Sequence, residues 1–213
     1  MIIVVETNFV LELAFRQSEA CECDRLIELA ADGSVELVIP ACSLFEPYET
    51  LVRRSKERER MLAAFKHEVD ELARSEFYTD LPKTVEEIVA PIAGSSNVYE
   101  NSLRKALVSV LRVATIIPLS SNVMSLAFEF QQVDFDSISP QDAVVAASVI
   151  LFLREKVGGP RFFANTNMKD FTGPALAVHF KHCDCKMLSD FTAARGLAER
   201  TLPSRPVARR GMR

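Results

Sequence analysis

Short, β-branched apolar runs alternate along this chain with longer stretches of helical periodicity. Strands are predicted at residues 1–5, 35–39, 114–117 and 161–164, with a fifth at 175–180. Strands that alternate with helices in this way form right-handed βαβ units, because a parallel neighbour must be reached by a crossover. The predicted class is therefore α/β, with three layers and a central, mostly parallel sheet of four or five strands flanked by helices.

Helices are predicted between these strands from the spacing of apolar residues. They cover residues 10–15, 21–31, 45–74, 83–92, 99–112 and 139–153, and another begins at Ser121. The Gly94-Ser95-Ser96-Asn97 segment predicts a turn that separates two of them. We expect a single domain over residues 1–200, with a helical elaboration at about 50–112, followed by a flexible basic tail at 201–213.

Composition narrows the class of protein. The chain has 213 residues, a formal net charge of −4 and a pI of about 5.5, so a wide basic nucleic-acid footprint is not expected. Its longest apolar stretch, 143–153, is shorter than the ~20 residues that cross a bilayer. We expect a cytoplasmic protein without a membrane segment, whose five cysteines are reduced thiols.

Acidic residues recur just beyond the predicted strands. Glu6 follows the first strand, Glu46 follows the second, Asp142 opens an apolar helix, and Asp170 follows the fourth strand. Sites in open parallel sheets lie beyond the carboxyl ends of the strands. Carboxylates gathered there repel one another unless a cation neutralises them, and oxygen ligands suit Mg²⁺ or Mn²⁺. The pattern favours metal-assisted hydrolysis of a phosphodiester.

Each acid also has a purely structural interpretation. Glu6 could stabilise a helix N-terminus, Asp142 could belong to a capping box with Ser139, and Asp170 could begin a turn. Glu46 could be an exposed acid at a helix start, where Glu49 is its rival. Their joint placement at one rim of the sheet favours a common site.

A cluster of basic residues lies on the predicted helix 45–74. Residues 53–60 carry mixed charge, which is typical of a solvated helix face. The alternative is a phosphate-contacting patch formed by Arg53, Arg54, Lys56 and Arg58.

Four segments, in order, resemble the motifs of PIN domains, particularly the toxin ribonucleases of bacterial type II toxin–antitoxin pairs. The segments are Val4-Val5-Glu6-Thr7-Asn8, the run from Ile39 to Glu46, Gln141-Asp142-Ala143-Val144-Val145-Ala146-Ala147, and Asn165-Thr166-Asn167-Met168-Lys169-Asp170-Phe171. Each motif is short, but the ordered set spans most of the chain.

The resemblance implies a metal-dependent ribonuclease. Glu6, Glu46, Asp142 and Asp170 would be the catalytic carboxylates and would bind one or two Mg²⁺ or Mn²⁺ ions. Thr7 and Asn8 would order the strand end or bind metal-linked water, and Asn167 would contact such water or phosphate. The resemblance also implies RNA as substrate, a homodimer and a small antitoxin protein as partner.

Two positions depart from the family pattern. Glu6 stands where the family usually has Asp, and its extra methylene adds about 1.5 Å of reach. Asn165 replaces the usual Thr. The alternative is therefore a catalytically weak or inactive PIN-like module that binds RNA or a protein partner. Glycine-rich phosphate loops are missing from the sequence, and the one-residue spacing within each cysteine pair disfavours zinc.

Overall fold

Five parallel strands form one sheet in the computed structural model, which describes residues 1–78, 81–133 and 138–201. The strands are β1 (Ile2–Val4), β2 (Glu36–Pro40), β3 (Thr115–Ile117), β4 (Arg161–Ala164) and β5 (Cys185–Leu188). Their order across the sheet is β3-β2-β1-β4-β5, and every neighbouring pair is parallel. The predicted parallel α/β class is confirmed.

Helices connect the strands and cover the sheet. In the described residues they are α1 (Thr7–Phe15), α2 (Ala20–Ala31), α3 (Glu46–Leu72), α4 (Leu81–Val113), α5 (Ser121–Val133), α6 (Pro140–Arg154), α7 (Pro174–His182) and α8 (Phe191–Arg200). Short 3-10 helices lie at Cys42–Leu44, Glu76–Tyr78 and Met168–Phe171. None of the helices, within the residues described, is long and apolar enough to cross a membrane.

Two apolar cores lie on opposite faces of the sheet. Ile3 and Val5 point into one core, together with buried residues of α1, α2, α4 and α8. Ile2 and Val4 point into the other, against α5, α6 and α7. Successive residues of a strand face opposite sides, so a short strand that is apolar throughout serves both cores. This burial fixes the three layers.

The predicted strand at 175–180 is wrong, because this segment belongs to α7. Leu176 and Phe180 are each 2% exposed, whereas Val178 between them is 51% exposed. Burial at i and i+4 is the pattern of a helix face. Gly173 is the N-cap and Pro174 occupies the first turn, where its missing N–H costs nothing. The fifth strand is instead β5, which pairs with β4.

The predicted turn at Gly94–Asn97 is also wrong, because α4 runs through it without a break. The Ser95 hydroxyl donates to the carbonyl of Ile92 at 2.7 Å, and Ser96 contacts Ser55 and Arg58 of α3. Packing between α3 and α4 therefore outweighs the local turn preference. These two helices overlap the segment of the expected elaboration, which stays a prediction, and tail residues 202–213 lie outside the described residues.

The strand order reverses between β1 and β4. The chain proceeds from β1 outward through β2 and β3, then returns to the other side of β1 to form β4 and β5. A crevice opens at such a switch point, at the carboxyl ends of the two central strands. Any site of this fold is expected there.

Candidate active site

Glu6 lies at the carboxyl end of β1 and is also the N-cap of α1. Its Oε1 accepts a hydrogen bond from the backbone N–H of Asn8 at 3.0 Å, and only 6% of the residue is exposed. Burial raises the pKa of this carboxyl from 4.5 to about 8, and the charges of Glu46 and Asp142 contribute to the rise. The structural interpretation of Glu6 as a helix cap is therefore confirmed, and its role in a metal site stays a prediction.

Glu46 is the first residue of α3 and is half-buried. The hydroxyl of Thr7 donates a hydrogen bond to its Oε2, which joins the start of α3 to the start of α1. Burial raises the Glu46 pKa, the charges of Asp142 and Glu49 raise it too, and the Thr7 hydrogen bond lowers it. The rival residue, Glu49, is exposed.

Asp142 lies in the first turn of α6, which Ser139 caps. The Asp142 backbone N–H donates to Ser139 Oγ at 3.1 Å, and the Ser139 hydroxyl donates to Asp142 Oδ2 at 2.5 Å. This is the predicted cap, with the side chains paired directly. Burial raises the Asp142 pKa, the Ser139 hydrogen bond lowers it, and the charge of Asp170 raises it.

Asp170 lies in the 3-10 helix Met168–Phe171, which follows β4. The side-chain amide of Asn167 donates a hydrogen bond to Asp170 Oδ2, so the turn fixes the carboxylate. Asn167 itself is exposed and Asp170 is partly buried.

The four carboxylates interact as a connected set. The charges of Glu46 and Asp142 raise the pKa of Glu6, and the charge of Asp142 raises that of Glu46. The charge of Asp170 in turn raises the pKa of Asp142. They come from four distant segments of the chain, and Glu6, Glu46 and Asp170 each follow a strand of the parallel sheet. Like charges that raise one another's pKa favour a bound cation.

Asn165 is a residue that sequence reasoning treated only as a departure from the family. It is 1% exposed, and its Oδ1 accepts from Asn8 Nδ2 at 3.0 Å and from the Asn167 backbone N–H at 2.7 Å. It therefore connects the residues after β1 to those after β4. The available signal was its position, directly after β4.

The donor set decides which ion the crevice could hold. The carboxylates supply only oxygen, which suits Mg²⁺ or Mn²⁺ rather than a thiolate-seeking metal. Across the described residues, no group of three or more His, Cys, Asp or Glu side chains is arranged to hold an ion. Mg²⁺ is usually held by one or two carboxylates and keeps several waters. The oxygen donors therefore suit Mg²⁺ or Mn²⁺ in their chemistry, while the described residues present no ready-made set of three ligands.

Ser139→Ala tests whether the cap of α6 also tunes Asp142. We expect a loss of ~1 kcal/mol in the free energy of unfolding, because an N-cap acceptor is removed. The Asp142 pKa should rise further, because the hydrogen bond that lowers it is gone. NMR titration of the Asp142 carboxyl carbon measures the pKa, and denaturant unfolding measures the stability.

Asp190→Ala is the matched control for Ser139→Ala. Asp190 caps α8, where its Oδ1 accepts from the Ala193 N–H at 2.6 Å. Asp190→Ala should lower the free energy of unfolding by a similar amount, and the pKa of Asp142 should stay at its wild-type value. An unchanged Asp142 pKa in Ser139→Ala would contradict the tuning role.

The chain matches the family model of the PIN domain over residues 3–171. A solved structure, VapBC2 from Rickettsia felis bound to a DNA fragment from the promoter of that pair, is similar with 14% identity and a TM-score of 0.40. The alignment covers 80% of this chain and 91% of that one. A search among curated proteins found no match. The family match confirms the resemblance to PIN domains, and its range includes the positions of all four candidate carboxylates.

Proposed function

The chain belongs to the PIN-domain family, and from this premise we propose that it is a metal-dependent endoribonuclease. The observation that carries the proposal is the connected set of Glu6, Glu46, Asp142 and Asp170 at the switch point of the sheet. Burial and mutual repulsion raise the pKa of the first three, because their ionised forms are unfavourable without a counter-charge. A divalent cation would supply that counter-charge.

In this proposal the four carboxylates would hold Mg²⁺ or Mn²⁺, directly or through water. Such an ion would supply Lewis-acid chemistry, lowering the pKa of water and neutralising charge on a phosphodiester. Asp142 links the set, because it interacts electrostatically with each of the other three carboxylates. No side-chain nucleophile is required for this hydrolysis.

Polar neighbours give the carboxylates fixed orientations. Thr7 donates to Glu46, and Asn167 donates to Asp170. Asn8 pairs with Asn165 across the ends of β1 and β4. We assign Thr7, Asn8 and Asn167 to positioning, either of the carboxylates or of water and phosphate next to them. Preorganised groups of this kind cost no rearrangement during reaction.

Cleavage assays with RNA test the proposal. We expect cutting of single-stranded or structured RNA with Mg²⁺ or Mn²⁺, and complete loss of cutting with EDTA that returns when the ion is restored. A DNA oligonucleotide of the same sequence tests the preference for RNA, which follows from the family resemblance. Failure of the folded protein to cut RNA under every one of these conditions would contradict the proposal.

A second candidate function is a PIN module that binds RNA or a protein partner without cutting. The observation that favours it is Glu6, whose longer side chain turns back to cap α1 and whose pKa is about 8. Below that pH this carboxyl holds a proton, which competes with a metal ion. Metal-independent RNA binding without cleavage would support this alternative.

The biological role is proposed from the family resemblance alone. We infer a cytoplasmic toxin that forms a homodimer and is blocked by a small antitoxin protein. Growth arrest on expression, relieved by Asp142→Asn, would support the toxin role. Sedimentation would measure the oligomeric state.

A further inference from the structure

One face of α3 leads away from the candidate active site. Glu46 lies at its first turn, and residues 7 and 14 positions later return to within about 40° of the same direction on a helix of 3.6 residues per turn. These residues are Arg53 and Arg60. They lie about 10 and 21 Å further along the axis. Basic side chains therefore follow Glu46 along this face.

The structure divides the basic cluster of α3 into two groups. Arg54 stacks over the ring of Phe15 at 5.0 Å, and Arg58 stacks over Tyr99 at 5.6 Å. Arg58 also donates to the hydroxyls of Ser55 and Ser96. These two arginines join α3 to α1 and α4, so they are structural.

Arg53, Lys56 and Arg60 form the second group. All three are exposed, and none takes part in an ion pair within the portion of the chain that the structure describes. Unpaired cations in a row on a protein of net charge −4 are a local basic feature. Such a feature can follow a nucleic-acid backbone without a basic surface elsewhere.

An apolar edge runs beside this basic row. A concavity of about 520 Å³ is lined by Tyr48 and Val52 together with the three cations. Tyr48 is 43% exposed and Val52 is 50% exposed, next to the start of α3. Glu49 and Glu57 also line the concavity, so its net positive charge is small. An exposed aromatic ring beside a row of cations is the arrangement that binds unpaired bases and their phosphates.

We propose that this α3 strip, defined as Tyr48, Val52, Arg53, Lys56 and Arg60, binds single-stranded RNA beside the bond that is cut. The inference rests on the proposed function and names its substrate class. The cations contact successive phosphates, and Tyr48 stacks on a base. Stacking needs a base that is free of its partner, so the strip selects single strands over duplexes.

RNA binding in the absence of metal measures the contribution of the α3 strip to affinity, because the probe is not cleaved. The probe is a fluorescein-labelled, mixed-sequence single-stranded RNA of about 12 nucleotides, followed by fluorescence anisotropy. The protein is Asp142→Asn in EDTA, with or without the combined change Arg53→Ala, Lys56→Ala and Arg60→Ala. We expect Kd to rise at least about tenfold. The slope of log Kd against log salt should fall by about 2, because the variant no longer neutralises three of the RNA phosphates.

The matched control removes the same charge elsewhere. Lys66, Lys105 and Arg112 are exposed on α3 and α4, and their combined change to Ala should alter Kd less than about twofold. Tyr48→Ala should weaken binding about tenfold, whereas Tyr48→Phe should keep most of it. A duplex of the same sequence should bind more weakly than the single strand. Equal losses of affinity in the strip and control variants, or equal binding of the duplex, would overturn the proposal.

The outcome separates this inference from the proposed function. If wild-type protein cuts no RNA while the strip variants lose binding selectively, the strip stands and the nuclease proposal fails. If wild-type protein cuts RNA while strip and control variants bind alike, the strip is overturned and the nuclease proposal stands. Capture of a protein partner on this face, with RNA binding that the strip variants leave unchanged, would also overturn it.

Discussion

Asp142→Asn should lower metal-dependent RNA cleavage by roughly 10²–10³-fold while the protein stays folded. Asp142 interacts with Glu46, Glu6 and Asp170, so it is the carboxylate that joins the set together. Its amide replacement removes the charge that a divalent ion would neutralise. The backbone N–H that donates to Ser139 remains, and so the cap of α6 is kept.

Stability and cleavage must be measured together for this variant. The free energy of unfolding should change by less than about 1 kcal/mol, because burial already disfavours the ionised form of Asp142. Asp184→Asn is the matched control. This exposed aspartate lies directly before β5, at the amino ends of the strands, whereas the candidate site lies at their carboxyl ends. Asp184→Asn should cut RNA at the wild-type rate. A folded Asp142→Asn that cuts as fast as wild type would show that the site lies elsewhere.

Glu6→Gln should stabilise the metal-free protein above neutral pH. The pKa of Glu6 is about 8 in the folded protein, against 4.5 for an ordinary glutamate, so folding favours the protonated form. This contribution to stability is fully present below pH 4.5 and is lost as pH rises through 8. Gln keeps a neutral side chain and its acceptor for the Asn8 N–H. We expect a gain of about 2–4 kcal/mol at pH 8 and almost none at pH 4.

The same variant should lose its response to divalent ions. A metal ligand must be deprotonated, so the apparent Mg²⁺ affinity of the wild type should rise as pH approaches 8, by up to about tenfold per unit. Calorimetry in buffers of different ionisation enthalpy measures the proton released, and melting curves with Mg²⁺ or EDTA measure the linked stability. Glu68→Gln removes the same charge from an exposed site on α3 and should behave as wild type. A wild-type stability that is independent of pH between 5 and 8 would contradict the burial of an ionisable Glu6.

The sequence predicted four of the five strands, including the edge strand β3, and missed only the other edge strand, β5. β1 and β2 are rich in β-branched residues and buried on both faces, so their sequences have few alternatives. β5 reads Cys-Lys-Met-Leu and has no β-branched residue, and its Lys186 is exposed on an edge strand. Residues 175–180 are more apolar but too short for periodicity to separate a strand from a helix. The prediction therefore chose the wrong segment.

The positions of the acids follow from one rule, whereas their contacts do not. Strand ends locate Glu6, Glu46 and Asp170 at one rim, because all strands are parallel. The hydrogen bond between Thr7 and Glu46 depends on side-chain directions at two helix starts that lie far apart in sequence. The hydrogen bond between Asn165 and Asn8 could not be predicted either, because it depends on how close the two side chains lie in the folded protein. That the four acids bind a metal stays a prediction.

The pairing of the two central strands has a consequence for synthesis of the chain. β1 pairs with β4, and Ile2 lies opposite Arg161 in the register. The middle of the sheet therefore stays open until most of the polypeptide has left the ribosome, and such long-range pairing also slows folding. The fourth carboxylate, Asp170, follows only nine residues behind Arg161. Fragments that end before β4 would lack both the closed sheet and Asp170, so the proposed acidic set is complete only when the sheet is.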